Sequence, residues 1–328
     1  ISLFSIHLLS MNIKRQLIQN LKNIGLRTQE ERYRKPLSQS VFIKDYHFPV
    51  EDYIELKNYS LYEQKHINLK TYLRLPEESS KGNKDSNGYK GLIYMFSGLG
   101  LYPNTLGETA VKFANEGYIV ASYDYRSHHQ SEGKRISDFS ELIEDTKLFI
   151  SQTDRYVKQH YGERVLSNKF MWGTSLGGRL CYEASKGDHD CKGVVYAAPG
   201  FGVVEDFFDY GEKGFLRMTK NPEFYENIGL FNKSSPKYSS QKVCIDSLRE
   251  FQKSFDDYST AFLLIVAGVD KVVPPLDQFS IYEKARSVDK EVQYYSEMWH
   301  GFQFDEDSEK VTNASIEWIK KRSICEWL

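Results

Sequence analysis

At 328 residues the chain is long enough for one large domain with an insertion, or for two ordinary domains. Its 40% hydrophobic and 27% charged residues exclude a disordered chain, and no stretch approaches membrane-spanning length. The net charge is -2, with basic residues scattered among acidic ones, so no nucleic-acid partner is expected. Four cysteines (Cys181, Cys191, Cys244 and Cys325) are too few for a disulfide framework. They point to reduced thiols and a cytoplasmic location.

The first ten residues are mostly apolar but lack the basic start and small-residue cleavage site of a signal sequence, and they precede Met11. Within an N-terminal extension, 1–52, apolar residues at Ile13, Leu17, Leu21 and Ile24 draw one stripe of an amphipathic helix. Lys14, Arg15, Lys22 and Arg27 flank that stripe, which suits packing on the main domain or contact with a membrane surface. Over 53–75 the pattern alternates, most clearly in 66–75, and predicts an antiparallel hairpin at a sheet edge. The polar stretch 77–90 reads as a surface loop.

From there short apolar runs at 91–96, 118–123, 169–172, 193–197, 261–267 and 292–295 alternate with helical patterns near 105–116, 137–161, 176–186, 276–285 and 309–321. That rhythm predicts βαβ units: an α/β fold with a mostly parallel central sheet and helices on both faces. The interval 199–260 breaks it, being dense in Phe and Tyr without a clear strand. A structureless loop of that length is improbable, so an inserted helical cap is expected there. The core would then comprise 53–198 and 261–328.

Gly173-Thr-Ser175-Leu-Gly177 is a G-x-S-x-G pattern, which alone is a weak signal. Here an apolar strand precedes it and a helical pattern follows, the strand-turn-helix setting in which a serine is exposed on a strained turn. The helix N-terminus behind such a serine favours a developing negative charge. A serine hydroxyl needs a base, and the base needs an orienting acid. His300, just past the 292–295 run, is the candidate base. Asp270, just past the 261–267 run, is the candidate acid; Asp277 and Asp289 are rivals that fall within or after the next helix. The order Ser175, Asp270, His300 is that of α/β-hydrolases. For the oxyanion, the backbone N–H groups of Leu176 and of Leu99, in Ser97-Gly98-Leu99-Gly100, are the candidate donors. No metal-ligand spacing accompanies His128-His129, which are expected to shape a loop beside the site. No phosphate loop or dinucleotide fingerprint occurs, and no cofactor is expected.

These segments resemble the monoacylglycerol lipase and lysophospholipase branch of the α/β-hydrolases over about residues 53–321. Ser97-Gly-Leu-Gly100 is similar to the H-G-x-G oxyanion loop of that branch. The run 124–133, Asp-Tyr-Arg-Ser-His-His-Gln-Ser-Glu-Gly, resembles its D-x-R-G-H-G-x-S-x-G segment, and Asn221-Pro-Glu-Phe-Tyr225 its cap stretch. Ser97 departs from the histidine of the pattern, and Ser127 and His129 stand where the pattern has glycines. The resemblance implies hydrolysis of a long-chain acyl ester, such as a monoacylglycerol or lysophospholipid, with transient contact at a membrane surface. The aromatic residues Phe201, Phe207, Phe208, Tyr210, Phe215, Phe224, Tyr225 and Phe231 would serve to line an acyl channel, to pack the cap, or both. A short-chain esterase, thioesterase, amidase or acyltransferase stays open within the class. A hydrolase-fold ligand receptor with little turnover stays open outside it.

Overall fold

A computed structural model describes Arg15 and residues 51–52, 54–76, 88–203, 243–248, 251 and 255–323. The expected amphipathic helix lies outside these residues except for Arg15, as does most of 199–260. The strands are β1 (Glu51–Asp52), β2 (Leu56–Ser60), β3 (Lys65–Leu69), β4 (Thr71–Arg74), β5 (Gly91–Phe96), β6 (Tyr118–Tyr123), β7 (Lys169–Ser175), β8 (Cys191–Pro199), β9 (Phe262–Ala267) and β10 (Lys290–Tyr295). The helices are α1 (Gly107–Asn115), α2 (Phe139–Tyr161), α3 (Leu176–Ser185), α4 (Pro275–Lys284) and α5 (Asp307–Arg322).

Eight strands form one sheet in the order β1-β4-β6-β5-β7-β8-β9-β10. From β6 to β10 every neighbouring pair is parallel, and β4 and β1 extend the sheet antiparallel. This is the expected α/β architecture. Its apolar runs are continuous because both faces are covered. Side chains alternate across the pleat: Leu92, Tyr94 and Phe96 join one core while Ile93 and Met95 join the other. The first core is shared with α2, α3 and α4, through residues such as Phe149, Leu180 and Phe279. The second is shared with α1 and α5, through Phe113, Val311 and Trp318. Where 199–260 is described, Cys244, Leu248, Phe251, Phe255 and Tyr258 are buried in the first core. No helix among the described residues is long and apolar enough to cross a membrane.

The 53–75 region corrects one expectation. The hairpin β2–β3 is a separate two-stranded ribbon, not an edge of the main sheet. The alternating stretch 66–75, read as one strand, divides at Lys70: its first half pairs with β2, and its second half, as β4, enters the main sheet against β6. Two consecutive strands with one alternation cannot be separated by period alone.

A buried ion cluster ties the ribbon to the rest. Arg126 is fully buried; its Nε donates to Asp145 Oδ2 at 2.6 Å and its Nη1 to Glu141, both on α2. Asn58 of β2 donates to the same Asp145 at 2.7 Å, and the Leu61 N–H donates to Glu141 Oε1 at 3.1 Å. A cluster of this kind adds little net stability, yet removing one partner strands a buried charge. Arg126→Met is therefore expected to lower unfolding free energy by about 3–5 kcal/mol, read from the urea denaturation midpoint.

Candidate active site

In a parallel sheet the carboxyl ends of neighbouring strands share one edge, and here that edge gathers the residues singled out in the sequence. Ser175 ends β7 and opens α3. Asp270 follows β9, His300 follows β10, and the 97–101 loop follows β5. Ser175 has φ 52° and ψ -124°, a left-handed backbone that a side chain adopts only under constraint. The constraint is packing without room for Cβ atoms. A Cβ on Gly173 would stand 2.4 Å from the Gly177 carbonyl oxygen, and one on Gly177 would stand 2.2 Å from that of Phe96. The Gly200 N–H donates to the Ser175 carbonyl at 2.7 Å and closes the turn from the β8 side.

The three candidate catalytic side chains form one line. His300 Nε2 lies 2.8 Å from Ser175 Oγ, and His300 Nδ1 lies 2.6 Å from Asp270 Oδ2. A carboxylate oxygen only accepts, so Nδ1 carries the proton and the Nε2 lone pair faces the serine. Asp270 and His300 are both buried. The loops that carry them are stitched together: the Gly268 N–H donates to Tyr295 O at 2.9 Å and the Val269 N–H to Met298 O at 3.0 Å. Asp277, one of the rivals, sits in α4 with its carboxylate where a Cβ on Gly202 would collide, and the partner of His300 Nδ1 is Asp270. Asp289 instead pairs with Arg322.

Leu176 is the first residue of α3, where the helix ladder offers its N–H no acceptor. Leu99 lies in a loop whose next two amides are committed. The Leu101 N–H donates to Gly98 O at 3.1 Å and the Gly100 N–H to His128 Nε2 at 3.2 Å. The Ser97 carbonyl accepts from Tyr125 Oη at 2.7 Å. Tyr125 and His128 thus brace the loop from the neighbouring strand-end segment, and Ser97 replaces histidine without leaving the loop unsupported. Tyr125 carried no signal in the sequence beyond lying in a motif-like segment.

His128 is fully buried. Its Nδ1 must donate to Arg126 O, 2.9 Å away, because a carbonyl cannot; Nε2 is then free to accept from Gly100. Burial pushes its pKa below the ordinary value of 6.5, against the pull of the Arg126 carbonyl and the Asp124 charge. Burial likewise raises the Cys181 thiol, and pushes Cys191 and Cys244 up to about 12, so these free thiols stay protonated and poor nucleophiles at neutral pH.

Ser127 and His129, which stand at glycine positions of the motif, have φ 59° and 41°. The left-handed backbone that glycine would take freely is kept here by two residues that pay for it with strain. His129 recovers part through Asp124 Oδ2, 3.1 Å from its Nδ1, and through a ring stack on Tyr102 at 4.3 Å. Ser127 recovers nothing equivalent: its buried hydroxyl has no hydrogen-bond partner among the described residues.

Two outcomes follow from this segment. Ser127→Gly removes both strain and an unsatisfied hydroxyl, and is expected to stabilise by about 1 kcal/mol in urea unfolding after glycine's entropy cost. For His128, the unfolded chain binds the proton more tightly, so stability falls as pH drops below about 6.5. Between pH 7.5 and 5.5 the native Tm should fall further than that of His128→Gln; equal falls would contradict the assignment.

Known proteins resemble this chain in sequence and in fold. The family model described as "Serine aminopeptidase, S33" matches residues 88–242 and 213–307. Caffeoylshikimate esterase of Arabidopsis thaliana is 25% identical over 270 residues, covering 71% of this chain and 78% of that protein. Monoglyceride lipase of Homo sapiens is 21% identical over 262 residues, covering 71% and 84%. Among solved structures, a soluble variant of Saccharomyces cerevisiae monoglyceride lipase superposes with a TM-score of 0.66 at 14% identity, covering 85% of this chain and 99% of that one. A Paleococcus ferrophilus monoacylglycerol lipase gives 0.60 at 19% identity, covering 78% and 99%. With its strand-end serine, its parallel sheet and this match over most of its length, the chain has the α/β-hydrolase fold and belongs to the serine aminopeptidase S33 family.

Proposed function

We propose that the chain is a serine hydrolase that cleaves carboxylic esters of acyl lipids, of the monoacylglycerol or lysophospholipid kind, through an acyl-enzyme. The observation that carries the reading is the unbroken line from Ser175 Oγ through His300 to Asp270, with contacts of 2.8 and 2.6 Å. Ser175 attacks the ester carbonyl while His300 Nε2 takes its proton, and Asp270 stabilises the imidazolium that forms. The oxyanion settles between the Leu99 and Leu176 N–H groups, each such donor lowering the barrier by about 3–4 kcal/mol. His300 then protonates the departing alkoxide, leaving the acyl group on Ser175. In the second half His300 deprotonates a water that attacks the acyl carbonyl, and the acid leaves as Ser175 recovers its proton. No cofactor enters either half.

An esterase or lipase family supports the reaction class. The lipid substrate draws support from the monoglyceride lipases among the similar proteins. A shorter ester is the second reading, favoured by the similarity to caffeoylshikimate esterase. In this proposal 53–198 and 261–328 form the core and 199–260 the cap. Phe201 is set aside as a channel residue: it is buried against Tyr196 at 5.1 Å and Phe251 at 5.5 Å, so it packs the insertion onto the core. The other channel candidates, Phe207, Phe208, Tyr210, Phe215, Phe224, Tyr225 and Phe231, lie outside the described residues. A cytoplasmic enzyme meeting its substrate at a membrane surface fits the reduced thiols.

Fluorophosphonate labelling tests the reading. Native protein should be labelled on Ser175, and Ser175→Ala should take no label and lose roughly four to six orders of magnitude in kcat, by analogy with serine protease triads. A folded native protein that takes no label overturns the enzyme. Labelling without turnover of monoacylglycerols, lysophospholipids or short esters overturns the substrate and points to a ligand receptor.

A further inference from the structure

Gln278 is fully buried on the inward stripe of α4, among Pro275, Phe279, Ile281 and Tyr282. A polar amide on such a stripe is costly unless its hydrogen bonds are met, and here all the contacts go to one place. Its Nε2 donates to Asp270 Oδ2 at 2.7 Å and to Val273 O at 3.0 Å, and its Oε1 accepts from the Ala267 N–H at 3.1 Å. The amide can face only this way, because the Ala267 N–H cannot accept and neither the carboxylate nor the Val273 carbonyl can donate.

One side chain therefore joins the last residue of β9, the loop beyond it and the carboxylate between them. Asp270 Oδ1 is held separately by the N–H groups of Val272 and Val273, both at 2.8 Å. Among the described residues Oδ2 receives two donors, Gln278 Nε2 and His300 Nδ1. The oxygen that orients the base is thus the one that Gln278 holds.

We propose that Gln278 is a positioning residue for the reaction: it fixes the Asp270 carboxylate in the plane that aims His300 at Ser175, and shares the charge that Oδ2 presents to the imidazole. This rests on the serine hydrolase reading above. Without the Gln278 donor, the charge on Oδ2 concentrates on His300, the imidazolium is favoured, and the base holds its proton to higher pH. Among the described residues the titratable groups around this position are Asp270 and His300, with Lys271 over the Trp299 ring, 4.4 Å from its centroid, and Asp277 immediately before Gln278 in the chain.

The experiment measures hydrolysis of a p-nitrophenyl acyl ester and the rate of fluorophosphonate labelling, each against pH, for native protein, Gln278→Leu and Gln278→Glu. For Gln278→Leu we expect kcat to fall about ten- to a hundredfold, as when an outer partner of a site residue is removed, with KM nearly unchanged. The midpoint of the acid limb should move to higher pH. Gln278→Glu is isosteric and keeps the acceptor for Ala267, but sets a carboxyl against a carboxylate. It should lose rate and add a second ionisation to the profile. Should Gln278→Leu fail to fold, the Glu variant alone carries the test. Variants that fold and lose thermal stability, yet keep the native kcat and pH midpoint, would reduce Gln278 to a structural residue and overturn the proposal. Native protein unlabelled at Ser175 would instead overturn the reading beneath it.

Discussion

The site depends on a backbone held where it would not otherwise stay. Ser175 occupies a left-handed conformation because β7, the start of α3 and the end of β5 approach one another with no space for side chains between them. Gly177 lies against the carbonyls of Phe96 and Ser97, so the same contact that forces the serine outward also sets the 97–101 loop beside it. One packing constraint therefore places the proposed nucleophile and one proposed donor together. The strain is carried by the sheet, whose central strands are buried on both faces.

Around that point, positions are fixed in layers. His300 takes its direction from Asp270, and Asp270 from two backbone amides and Gln278. The proposed oxyanion loop takes its shape from Tyr125 and His128, which belong to the segment after β6. That segment is itself held by Asp124, whose Oδ2 accepts from Tyr72 Oη and the Gln130 N–H, both at 3.0 Å, and by Arg126 through its ion cluster. Residues far apart in the chain thus stand one bond from each other at the strand ends. Such preorganisation is what electrostatic stabilisation of a transition state requires.

Much of this was legible in the sequence because its signals are local. Fully buried parallel strands appear as apolar runs, and the six runs from 91 to 295 coincide with β5 to β10. Ser175, Asp270 and His300 each follow such a run within a few residues, so strand ends, together with the G-x-S-x-G pattern and the order of the three residue types, pointed to them. The ribbon was misread because β3 and β4 share one alternation and differ only in their partners. Tyr125 and Gln278 stayed hidden for a similar reason. Each acts on a residue 28 or 8 positions away, at a distance set by tertiary packing. Gln278 did leave one trace, a polar residue on an apolar helical stripe.

The Arg126 cluster carries a consequence for how the protein would fail under stress. The ribbon β2–β3 is only two strands and lies outside the main sheet, so it is an element expected to detach at low cost. Its Asn58 and Leu61 meet the same carboxylates that hold Arg126, two residues before His128. Loosening the ribbon therefore loosens the brace on Gly100 while the central sheet is still intact. Catalytic activity, lost ahead of any change in helical content, would serve as a gauge of a small accessory structure and not of the core that bears the serine.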